Sequence, residues 1–93
     1  MAKNRLRTLF YHTFRGVRYR VRDNRRIKDA GRCDSEKKTI HIPINGKRQS
    51  DLGTILHECG HACFYDLDET SIHEFEMCTR KLLWQLGWRK ELK

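Results

Sequence analysis

The chain reads as a small α+β domain: an antiparallel sheet with one edge strand from the first half, then two helices. Three patterns predict this. Val17, Tyr19 and Val21 alternate with Arg18, Arg20 and Arg22, and Ile40, Ile42 and Ile44 alternate with Thr39, His41 and Pro43. Side chains two apart share a strand face, so each run is a strand with one apolar side. Beyond residue 50 the period changes: Leu52, Leu56, Cys59 and Cys63 recur at intervals of four, three and four, which marks one stripe of a helix.

In chain order, residues 3–14 are either a short helix or a first strand, with Leu6, Leu9, Phe10 and Phe14 favouring helical spacing. The strand around residues 17–22 carries one basic face and ends at the turn signal Asp23-Asn24. Ala30-Gly31 and Cys33-Asp34-Ser35 read as irregular chain and polar turn. Pro43 cannot donate to a ladder, which predicts that the strand over residues 39–44 lies at the sheet edge, open to an extended peptide. Asn45-Gly46 turns the chain. Ser50 or Asp51 can cap the next helix, and the acidic run Asp66-Leu67-Asp68-Glu69 connects it to a second. That second helix is predicted from about Thr70 to Leu86, with Ile72, Phe75, Thr79, Leu82, Leu83 and Leu86 as its core stripe and Gly87 closing it.

Ninety-three residues make a single domain, 1–93, near the lower limit of what one core stabilises, so a bound metal would help it fold. No apolar run approaches membrane-span length, and the polar basic start has no signal-type apolar region; a cytoplasmic protein is expected. The four cysteines lack any C-x-x-C spacing, and Cys59 and Cys63 fall on the predicted buried helix face, where a free Cys packs as a small apolar residue. Charge divides the chain in two. Residues 1–32 hold 11 Lys and Arg against 2 Asp and Glu, a balance of +9, whereas residues 33–93 balance at −1. Arginines interleaved with Phe10, Tyr11, Phe14 and Tyr19 make residues 5–32 a candidate nucleic-acid contact.

The chemistry lies in the second part. His57-Glu58-Cys59-Gly60-His61 is an H-E-x-x-H motif, and with 5 His and 6 Glu in the chain, chance supplies on the order of 0.02 such matches. On a helix the two imidazoles project from one face a turn apart, where they can share a Zn²⁺. Glu58 stands beside them as a general base for the attacking water. Two histidines hold zinc poorly, so a third ligand is needed. The motif's extension to a third histidine fails, because Phe64 and Leu67 occupy the required places. His73, Glu74 and Glu76 on the second helix, and Asp66, Asp68 and Glu69 in the connection, are the candidates.

H-E-x-x-H, an acidic connection, an Ile-x-Glu helix start and a Leu-Trp-x-Leu-Gly-Trp end together resemble the minimal zincin metallopeptidases. Small phage-encoded members are most similar, and the ImmA/IrrE-type and SprT-like domains more distantly so. The resemblance spans about residues 31–88, including Gly31-x-Cys33-Asp34 and Thr39-Ile40-His41-Ile42. It implies zinc held by His57, His61 and a glutamate of the following helix, which by position is Glu74; the SprT-like pattern would put His73 there instead. It further implies hydrolysis of a protein or peptide substrate with Glu58 as base. Such a reaction also needs a donor for the developing oxyanion, and Tyr65, His73 and His41 are the candidates in this sequence. The basic segment 1–32 lies outside it. The rival expectation is a non-catalytic, zinc-stabilised basic module that binds nucleic acid or a host protein. Neither reading fixes the oligomeric state.

Overall fold

The computed structural model describes residues 10–25 and 27–90. Strands β1 (Phe10–Phe14), β2 (Val17–Asp23), β3 (Arg32–Asp34) and β4 (Thr39–Ile42) are followed by helices α1 (Gln49–Cys63) and α2 (Glu69–Gln85). The α+β architecture is the expected one. The sheet order is β1-β2-β4-β3, with β1/β2 and β3/β4 antiparallel and β2/β4 parallel, so the sheet is mixed rather than wholly antiparallel.

The alternation read in residues 17–22 produces β2: Tyr19 and Val21 are buried while Arg18 and Arg20 are exposed. Residues 10–14 form a strand, not the helix that the leucine spacing favours; the expectation for residues 3–9 lies outside the described residues. Phe10, His12 and Phe14 alternate with Tyr11 and Thr13, and Phe14 pairs with Val17 across the two-residue turn Arg15-Gly16. Both turn residues have positive φ, 48° and 81°, the combination that matches a hairpin's twist and that glycine adopts freely. The basic segment is thus no appendage, since its hairpin makes half the sheet.

The edge-strand expectation for residues 39–44 is overturned. β4 pairs on both sides, with β2 and β3, and Ile40 is fully buried. Pro43 breaks no ladder because β4 ends at Ile42; its carbonyl instead accepts from Gly46 N–H in the following turn. The edge on that side is β3, a strand in a stretch read as irregular and turn. Asp34 organises the hairpin behind it, its Oδ1 accepting from the N–H groups of Glu36 and Lys37 at 3.1 and 3.0 Å.

α1 lies on the inner face of the sheet, where Tyr19, Val21, Ile40 and Ala62 form the core and Cys33 and Cys59 pack against it. All four cysteines are free, and burial pushes the Cys59 thiol up to about 11, which suits packing rather than reactivity. The cap of α1 differs from expectation. Arg48 is the N-cap, and Asp51 reaches back from the third helical position to accept its N–H at 3.0 Å.

α2 packs on α1 and not on the sheet. Its N-cap Asp68 accepts from Ser71 N–H at 2.8 Å, and Gly87 closes it with φ of 96°. Because only one neighbour covers it, the buried seam is narrow: Ile72 is fully buried, and Glu76, Thr79 and Leu83 are partly so. Phe75, Leu82 and Leu86, expected in the core stripe, are 42%, 57% and 66% exposed. Trp84 is partly covered by the Arg89 guanidinium 3.5 Å above its ring, and Trp88 is exposed.

Candidate metal centre

His57 and His61 sit one turn apart on α1, and their Nε2 atoms approach to 3.2 Å. Glu69, the first residue of α2, closes the group. Its Oε2 lies 2.8 Å from Nε2 of His57 and its Oε1 2.8 Å from Nε2 of His61. Ligand atoms on a tetrahedral zinc at 2.0–2.1 Å would stand about 3.3 Å apart, close to the 3.2 Å between the two nitrogens, with each nitrogen meeting a different oxygen of the carboxylate at 2.8 Å. Among the described residues no fourth donor joins these three.

Glu74, the glutamate that the resemblance implies, is exposed on α2 and joins no such donor group among the described residues; the carboxylate beside the two imidazoles is that of Glu69. The physical reason is the length of the connection. α1 ends at Cys63, and α2 begins at Glu69 beside the last turn of α1. Glu74, five residues on, has rotated about 140° from Glu69 around the helix. The acidic connection that names Glu69 as a candidate was the available signal, and its place at the start of α2, with Asp68 as the cap, is what selects it.

The other side of His57 faces α2. Its Nδ1 lies 3.3 Å from Oε1 of Glu76, a carboxylate only 14% exposed, and Nδ1 of His73 lies 3.5 Å from the same oxygen. Arg80 Nε stands 3.4 Å from the second oxygen of Glu76. His73 therefore belongs to the Glu76 side of His57, away from Glu69 and His61. Gly53 makes room for this pair: a Cβ there would come within 2.6 Å of Glu76 Oε2 and 2.7 Å of Arg80 Cδ.

His57 thus stands between two carboxylates, its Nδ1 toward Glu76 and its Nε2 toward Glu69. The Nε2 atoms of His57 and His61 and the two carboxylate oxygens of Glu69 converge on one point, where a proton on the rings or a bound cation balances the carboxylate. The donor set, two imidazole nitrogens and a carboxylate, is that of catalytic zinc sites.

Glu58 follows His57 on α1 and lines the same open cleft, of about 420 Å³, with Gly31, Thr54 and His73. Burial pushes its carboxyl above the usual carboxylate range, a shift that the neighbouring imidazoles oppose and Glu69 reinforces. A second polar recess, on the His61 side, is lined by Cys33, Ser35, His61 and Tyr65. The edge strand β3 and the residue before it thus border both recesses, Gly31 the first and Cys33 the second. Of the expected oxyanion donors, Tyr65 borders the His61 recess and His73 the Glu76 side. His41 lies across the sheet, because Ile40 beside it points into the core.

Compared with known proteins, the chain matches no family model, no curated protein and no solved structure.

Proposed function

We propose that the protein is a zinc-dependent peptidase whose metal ligands are His57, His61 and Glu69. The observation that carries this reading is the convergence of two imidazoles and a carboxylate on one point, with Glu76 on the far nitrogen of His57. Zinc held there supplies Lewis acidity, which polarises a scissile carbonyl and acidifies the attacking water.

The chain's own residues do the rest. Glu58, at the cleft wall and desolvated, takes the proton from the attacking water and delivers it to the leaving amine. Its raised proton affinity suits a group that must hold that proton between the two transfers. An extended substrate pairs with the free edge of β3, Arg32–Asp34, rather than along residues 40–44, so its backbone passes the metal between the two recesses. Tyr65 is the donor best placed to meet the developing oxyanion, on the His61 side.

Three protein donors leave a coordination position free, which supports catalysis over a closed structural site and hence over the rival binding module. The four free cysteines suit a reducing cytoplasm, that of the host cell if the chain is phage-encoded. No helix among the described residues is long and apolar enough to cross a membrane. The reading is tested by cleavage of an unfolded protein substrate: the zinc-loaded chain cleaves it, a hydroxamate blocks cleavage, and a chelator abolishes it. A zinc-loaded chain that cleaves no unfolded substrate would argue against the reading.

A further inference from the structure

Among the described residues no helix covers the face of the sheet turned away from α1. α1 meets β1, β3 and β4 from the inner side, and α2 packs on α1 alone. Strand alternation and register define what the outer face presents. Phe10, Val21, Cys33 and Ile40 point inward, so Tyr11, Thr13, Arg18, Arg20, Arg22, Arg32, Thr39 and His41 point outward, with Asp34 as the one acid among them. Arg22, His41 and Arg32 lie in one row across β2, β4 and β3, and Tyr11, Arg20, Thr39 and Asp34 in the next, so the acid sits at the β3 edge, two strands from Arg20.

Three of these four arginines pair with no acid among the described residues. Among the described residues Arg15, Arg25, Arg32 and Arg48 each contact an aspartate, whereas Arg18, Arg20 and Arg22 contact no carboxylate. They project from alternate residues of one strand, about 6.6 Å apart, a spacing close to that of successive phosphates in an extended strand. The Arg18 guanidinium lies 3.9 Å from the centroid of the half-exposed Tyr11 ring. His41 reports the local field: burial first, then Arg22 and Arg32, hold its imidazole below the usual histidine range.

We propose that the outer sheet face binds single-stranded nucleic acid, with Arg18, Arg20 and Arg22 on successive phosphates and the Tyr11–Arg18 pair as a stacking platform for a base. The chemistry favours this partner over the alternatives. A duplex groove admits a helix or a two-stranded ribbon, whereas a broad sheet suits splayed bases and an open backbone. A membrane surface would call for aliphatic side chains such as Leu, Ile or Val, and the described residues of the face offer none of these. It is also separate from the proposed metal centre, which lies on the α1 side, so each function can be removed alone.

The test uses the full chain and fluorescence anisotropy with labelled oligo-dT and oligo-U of about 20 nucleotides, a length exceeding one binding site. Affinity is expected to fall as salt rises from about 50 to 200 mM, and replacing Arg18, Arg20 and Arg22 together by Ala to weaken binding at least about tenfold and reduce the log–log salt slope by about 2. The triple Arg→Lys variant should keep most of that slope, and Tyr11→Ala should weaken binding where Tyr11→Phe does not. His57→Ala should bind as wild type. Should the triple alanine variant not fold, Arg20→Ala alone should lower both affinity and slope. Failure of both oligonucleotides to bind at about 50 mM salt would overturn the proposal. So would equal binding by a folded triple alanine variant, or tighter binding of duplex DNA, phosphatidylserine vesicles or polyglutamate than of the single strands.

Discussion

Glu76 lies 3.3 Å from Nδ1 of His57, on the opposite side of the ring from the Nε2 that meets Glu69 at 2.8 Å. A carboxylate in that position fixes tautomer and orientation and raises the basicity of the coordinating nitrogen. Glu76→Gln should therefore weaken zinc binding about 10- to 100-fold while the fold survives, read by competition with a chromogenic chelator. Unchanged zinc affinity in Glu76→Gln would remove the orienting role.

The identity of the third ligand separates geometry from resemblance. Glu69→Ala should lose stoichiometric zinc, whereas Glu74→Ala should keep it, because Glu74 is exposed and meets neither imidazole. Metal analysis of the two purified variants, side by side, decides the point. Zinc retained by the first and lost by the second would restore Glu74.

How far the site was legible follows from where its members lie. His57, Glu58 and His61 are local: one helical turn brings them together, and the spacing alone announces it. Glu69 and Glu76 depend on how α2 lies across α1, which no local pattern encodes. Sequence reading placed Phe75, Leu82 and Leu86 in the seam because apolar residues usually fill it. Here Glu76 and Arg80 occupy part of that seam opposite His57, and with no sheet beneath α2 the three apolar side chains face outward.

The strands teach a similar lesson. β2 was clear because its alternation is strict, and β1 was obscured by leucines that precede the strand. Arg15-Gly16 between Phe14 and Val17 was the overlooked hairpin signal. Pro43 misled because it follows the last paired residue of β4 rather than lying within it.

Gly31 links the edge strand to the general base. A Cβ at this position would meet Thr54 Cγ2 at 2.6 Å, Glu58 Cγ at 2.9 Å and the His41 carbonyl oxygen at 3.1 Å. The His41 backbone cannot give way, so Thr54 and Glu58 must move. Gly31→Ala should cost about 1–3 kcal/mol, the usual penalty of overpacking. In a domain of this size that is a fall in Tm of at least about 4 °C by calorimetry, with reduced peptidase activity at retained zinc. An unshifted Tm would show that the strand relaxes freely there.

His41 gives the pH dependence a sign. It is flanked by Arg22 on β2 and by Arg32 and Asp34 on β3, and burial together with the two arginines holds its pKa below the ordinary 6.5. The unfolded chain then binds a proton that the folded chain refuses, so this contribution to stability is complete above pH 6.5 and is lost as pH falls below it. Denaturant titrations of wild type and His41→Gln should diverge as pH falls from above 6.5 toward 5, with wild type losing more stability. Parallel curves would contradict the assignment.

Glu58→Gln should lower kcat about 10²- to 10⁴-fold, the usual contribution of a general base, with zinc still bound. Turnover of a confirmed substrate at the wild-type rate would remove Glu58 from the mechanism.

The central claim is a zinc ion gripped by two imidazoles and one carboxylate with a position left for water, and zinc K-edge absorption spectroscopy of the purified protein reads that shell directly. The account predicts two imidazole nitrogens and oxygen scatterers at about 2.0–2.2 Å, without sulfur, and the loss of this signature in Glu69→Ala. A shell containing a cysteine sulfur at about 2.3 Å, or one filled by four protein donors, would contradict it.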